Sequence, residues 1–107
     1  MKDPEITIKD LEQMMEFPKE GIFSKVLVKT ETSNYTLMCL AKDSDISEHT
    51  STREAAVTVL KGEGIFNLAG QKIAMKRGVF IFMPKNAPHS LSASTDLAIL
   101  LSLFGQE

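Results

Sequence analysis

The sequence predicts an all-β chain, a sandwich or barrel of short strands with one short helix near its start. Three observations carry this. Eight or nine apolar or alternating runs fall within about 85 residues. Turn-forming residues break them at intervals of about 8–12 residues. Only one stretch has the spacing of a helix. The whole chain is 107 residues, with 43% hydrophobic and 24% charged residues. That composition is globular, and the length suits one domain that buries roughly two-thirds of its unfolded surface. The expected layout is a single domain over 1–107, with an arm and helix over about 1–20 and a barrel over about 22–104.

The helix comes first. Leu11, Met14 and Met15 form one apolar stripe, with Asp10 or Thr7 as candidate caps. Phe17-Pro18 ends it, because proline disfavours helical geometry in the residue before it. So short a helix must pack on something to persist. Strands are then expected at Ile22–Thr30, Tyr35–Ala41, Ile46–His49, Ala55–Leu60, Ile65–Leu68, Lys72–Lys76, Val79–Met83, His89–Ala93 and Leu97–Phe104. The breaks between the later strands are Gly62 and Gly64, Ala69-Gly70, Arg77-Gly78 and Pro84 through Pro88.

Composition narrows the function. Twelve Lys and Arg against fourteen Asp and Glu give a formal charge of −2, with no basic block, which argues against nucleic-acid binding. A single Cys makes no internal disulfide and no cysteine zinc site. Cys39 lies in the apolar run LMCL and reads as a core residue. The first twenty residues are charged throughout and hold no apolar run of signal-peptide length, so the expected location is the cytoplasm. The longest apolar stretch, Leu97–Leu101 extended by Leu103 and Phe104, falls well short of the roughly 20 residues of a membrane helix. No Ser lies in a nucleophile elbow, and no phosphate-cradling glycine loop is present. Asp43, Asp45 and Glu48 lack the spacing and glycine of a calcium loop and read as solvated.

Two segments say more than periodicity does. One is EHTSTREAAVTVLKGEG, Glu48 to Gly64; the other is KRGVFIFMPKNAPHSL, Lys76 to Leu91. Together they resemble the two motifs of the cupin superfamily, in its small single-domain, RmlC-like form. The match is strongest at Val59–Gly64 and Arg77–His89, and the resemblance covers roughly residues 35–104. It implies a double-stranded β-helix, a jelly-roll cupin barrel.

The resemblance also implies a site. His49 takes the place of the first motif histidine, and Ser51 stands where a second would be. The family glutamate falls on Ala55, with Glu54 one position early, and His89 matches the second-motif histidine. Val79 replaces the usual acid after Gly78. The candidate metal ligands are therefore His49, His89 and Glu54. Residues two apart on a strand share a face, so His49, Ser51, Ala55, Val57 and Val59 would point inward together and Glu54 outward. A bulge around Thr50–Arg53 would reverse Glu54. Ser51, Ala55, Val57, Met38 and Phe82 are the expected pocket residues, and Arg53 is placed to set a charge at the barrel mouth or to pair with Glu54.

Two imidazoles are a weak basis for a divalent Fe, Mn, Ni or Zn, since catalytic sites usually supply three protein ligands. The expectation is a barrel that binds a small molecule, with a degenerate metal site holding metal weakly or not at all. The alternative is a metal-dependent enzyme of dioxygenase or isomerase type that uses His49 and His89. By the same resemblance two copies pair as a homodimer through strand exchange, the N-terminal segment supplying the strand. No nucleic-acid or membrane partner is expected.

Overall fold

The structure is a computed structural model and describes residues 5–105; residues 1–4 of the expected arm lie outside that range. The helix α1 spans Leu11–Met14, and nine strands follow: β1 Ile22–Lys29, β2 Ser33–Leu40, β3 Asp45–His49, β4 Glu54–Lys61, β5 Gly64–Leu68, β6 Gln71–Met75, β7 Phe80–Met83, β8 His89–Ala93 and β9 Leu97–Phe104. A five-stranded sheet has the order β1-β2-β9-β4-β7, and a four-stranded sheet the order β3-β8-β5-β6. Every pairing is antiparallel, and the two sheets face each other as in a jelly roll. No described helix is long and apolar enough to cross a membrane.

Alternation along each strand builds the core. On β4 the inner residues are Ala55, Val57 and Val59; on β9 they are Leu97 and Ile99. They meet Phe66 of β5 and Leu91 of β8 from the other sheet. The outer face of the large sheet is also apolar in part. Leu37, Cys39 and Ala98 are buried there beneath Met14, Met15 and Phe17. This explains why a one-turn helix persists: Asp10 caps it by accepting from the Gln13 N–H at 3.2 Å, and its methionines cover the sheet. Lys25 Nζ ties the segment down by donating to Met14 O at 2.8 Å and to Glu16 at 2.6 Å. Upstream of α1, Ile6 and Ile8 stand 91% and 88% exposed.

The β5–β6 hairpin turns on two residues, Ala69 and Gly70, with φ of 49° and 84°. Positive φ at both centres suits the twist of a hairpin, but Ala carries a Cβ that this conformation disfavours. Ala69→Asn is therefore expected to raise stability by about 0.5–1 kcal/mol. Chemical denaturation followed by far-ultraviolet circular dichroism checks it; an unchanged or lower midpoint would mean that Ala69 is not strained.

Candidate functional site

His49 ends β3 and His89 begins β8, and the two residues sit directly opposite each other in the antiparallel pair. His49 stays exposed, and what turns it toward the cavity side is an irregularity in β3. Ile46 pairs with Leu91, yet His49, three residues on, pairs with His89, only two residues back. One extra residue is thus accommodated between Ile46 and His49. In a regular strand residues three apart face opposite sides; the bulge puts His49 on the same side as Ile46, toward the core.

His89 is positioned from its other flank. It follows the turn from Pro84 to Pro88, in which Asn86 adopts φ of 65°. The Asn86 N–H donates to Ser51 O at 2.7 Å, and the Ala69 N–H donates to Pro88 O at 2.8 Å. The turn is thereby tied both to the loop after β3 and to the β5–β6 hairpin. The ring of Phe66, diagonal to His89 across β5 and β8, lies parallel to the imidazole within 4°, with centroids 6.1 Å apart.

The two imidazoles meet edge to face, with centroids 4.1 Å apart and planes at 60°. Nδ1 of His49 lies 2.9 Å from Ser47 O, and Nδ1 of His89 lies 2.9 Å from Ala87 O. A carbonyl oxygen only accepts, so Nδ1 carries the proton in each ring. In the neutral rings Nε2 then carries the lone pair. Each Nε2 is an acceptor for an O–H or N–H group, or a donor atom for a metal.

Two cavities meet at this pair. The inner one, about 230 Å³, is lined by Met38, Val57, Phe66, Met83 and Ile99 along with both histidines. The outer one, about 480 Å³, is lined by Thr50, Ser51, Thr52, Arg53, Ala55 and Pro84, again with both histidines. The two cavities share His49, Met83, His89 and Leu101, with His49 exposed and His89 half-buried, so the histidine pair stands between an apolar hollow and one bordered by the hydroxyl residues Thr50, Ser51 and Thr52.

Met38 and Val57 line the inner cavity, and Ser51 and Ala55 line the outer one. Phe82, expected in the pocket, is not there. It is 47% exposed and pairs with Ala56 on the outer face, while its neighbours Ile81 and Met83 point inward. In the run VFIFM both faces are apolar, so alternation gives no sign of which one is inside. Glu54 is exposed and pairs with Phe104, and the register of β4 against β9 runs unbroken from Glu54 to Val59. The bulge lies upstream, in β3, so Glu54 stays on the opposite face from Ala55 and lines neither cavity. Among the described residues no three His, Cys, Asp or Glu gather into a possible metal site. Leu91, which sequence reasoning does not single out, lines the inner cavity. A signal for it is present all the same, because it stands two residues from His89 on a strand and so shares its face.

The family described as Cupin domain matches residues 36–104. An uncharacterized protein of Aquifex aeolicus (strain VF5) is 32% identical over 100 residues, covering 91% of this chain and 82% of its own. Among solved structures, a conserved protein of unknown function from Streptococcus pyogenes superposes with a TM-score of 0.85 at 27% identity, over 98% of this chain and 92% of that one. A cupin superfamily protein from Desulfitobacterium hafniense superposes with a TM-score of 0.85 at 17% identity, over 96% and 94%.

Proposed function

The chain belongs to the Cupin domain family, and from that premise we propose that it is a binding barrel for a small organic molecule. The molecule's apolar body fills the inner cavity, and one O–H or N–H group meets His49 and His89. The observation that carries this reading is the histidine pair itself. Two rings 4.1 Å apart, each with Nδ1–H committed to a backbone carbonyl, keep Nε2 as the acceptor, and both rings line the apolar cavity. Pockets of this kind bind through apolar contact and are oriented by a few polar groups. The volume is adequate, since a dry apolar cavity of about 150 Å³ already admits benzene.

The donor set does not fit a catalytic metal centre of the kind the fold family suggests. Such a centre usually takes three protein ligands. Here the carboxylate position holds Ala55, Glu54 stands on the other face, and Ser51 offers only a hydroxyl. The binding reading therefore stands on the cavity and the imidazoles alone.

The test uses 1-hexanol, an apolar tail with one O–H, followed by ligand-observed NMR. Saturable binding to the wild-type protein is expected. His49→Phe and His89→Phe keep a ring but remove the acceptor, and each is expected to weaken binding by about 3–10-fold, the worth of one hydrogen bond. No saturable binding, or binding unchanged in both variants, would overturn the reading. So would near-stoichiometric Fe, Mn, Ni or Zn in untagged protein, lost in either variant, which is the result the metalloenzyme alternative requires.

A further inference from the structure

Two thioethers, those of Met38 and Met83, line the inner cavity, and no Asp, Glu, Lys or Arg does. Met38 stands on β2 and Met83 on β7, with β9 and β4 between them in the large sheet. Met38 sits opposite Ile99 and Met83 opposite Ala55, both core-facing residues, so both thioether side chains are turned to the inside of that sheet. Ile99 of β9 and Val57 of β4 line the same cavity and floor it between the two methionines. Phe66 of β5, 1% exposed, lines it from the facing sheet.

This spacing suits a ring. Adjacent strands lie about 4.8 Å apart, so the β2 and β7 backbones are roughly 14 Å apart. A thioether meets an aromatic ring well at its edge, with the sulfur about 5 Å from the ring centre, so two sulfurs flanking one ring are about 10 Å apart. Each methionine covers the difference by leaning inward from its strand, which its unbranched side chain allows. From the other sheet Phe66 adds an aromatic contact, its plane held parallel to His89 within 4°. Ring–ring and sulfur–ring contacts add to what area burial alone provides, and an alkyl chain or a saturated ring makes neither.

We propose that the small molecule bound in the inner cavity carries an aromatic ring, flanked at its edges by Met38 and Met83 and met by Phe66 from the facing sheet. This rests on the binding reading and adds the chemical class of the ligand's body. The class is an uncharged aromatic alcohol or phenol, whose ring fills the cavity while its O–H meets the histidine pair.

The probes are benzyl alcohol and cyclohexylmethanol, which share the hydroxymethyl group and differ only in the ring. The saturated ring is the more hydrophobic, so burial of apolar area alone ranks cyclohexylmethanol first. NMR titration is expected to show the reverse, with benzyl alcohol binding the wild-type protein about 3–10-fold tighter. Met38→Leu and Met83→Leu nearly keep the volume but remove the sulfur, and each is expected to lower that preference at least about twofold. Cyclohexylmethanol binding as tightly as benzyl alcohol, or more tightly, overturns the proposal. So does a preference undiminished in either variant. If a variant fails to fold, the ranking of the two probes by the wild type decides. These results sink the aromatic inference alone; binding of neither probe sinks the cavity reading with it.

Discussion

Phe66→Ala is expected to lower stability by about 3–5 kcal/mol, the range for emptying a buried aromatic site. Phe66 is 1% exposed and sits where the sheets meet, in contact with the same core as Val57, Leu91 and Ile99. Its strand is paired on both sides, with β6 and with β8, so the backbone cannot close in to fill the space. For a chain of this length the loss corresponds to a fall in Tm of about 15–30 °C. The ring is also the wall parallel to His89, so the variant loosens the imidazole as well. Phe66→Leu keeps most of the volume and should cost less than about 2 kcal/mol. Urea denaturation followed by circular dichroism measures both. A loss below about 1.5 kcal/mol for Phe66→Ala would show that the site collapses around the deletion.

Gly62→Ala is expected to cost about 3 kcal/mol or more, from two causes that a control separates. Gly62 has φ of +90°, and a Cβ there would stand 1.9 Å from the Asp96 carbonyl oxygen. That oxygen is backbone and cannot swing away. The turn that carries it is tied in place: the Glu63 N–H donates to Thr95 Oγ1 at 2.9 Å, the Ser94 N–H donates to Glu63 O at 2.9 Å, and Asp96 Oδ1 accepts from the Lys42 N–H at 3.0 Å. Gly70 has φ of +84°, and a Cβ added there would meet nothing within 4 Å. Gly70→Ala therefore carries the conformational cost alone, about 1–2 kcal/mol. The difference between the two variants measures the clash. Equal midpoints would mean that the β8–β9 turn yields.

Gly62 also explains part of the Gly-Glu-Gly run in the sequence. The chain leaves the large sheet at Lys61 and enters the small one at Gly64, and both glycines lie where the end of β8 and the start of β9 press close. At Gly64 an added Cβ would stand 2.4 Å from Ser92 O. The motif is legible as letters, but its cause is a close approach of backbone far away in sequence.

Much of the fold can be read without coordinates. Leu97–Phe104 and His89–Ala93 are delimited by their apolar content and by the turns beside them, and the structure has the same bounds. Of the two candidate caps that residue type and position offer, Asp10 and Thr7, the structure uses Asp10. Other readings fail for definite reasons. Val79–Met83 is apolar on both faces, so the sequence lets Phe82 pass for an inner residue when it lies outside. The outer face of the large sheet is buried beneath Met14, Met15 and Phe17, which makes β2 apolar on both faces too.

The sequence by itself determined the strand inventory, the barrel family and the absence of a carboxylate at the position where the family motif has one, because these depend on residue type and local order. Only the tertiary structure decided which way the site residues face. The face of His49 turns on one bulge in β3, and a bulge exists only relative to the partner strand, β8, some forty residues on. The histidine pair and the apolar cavity beside it are products of pairing between strands, which no single stretch of the chain encodes.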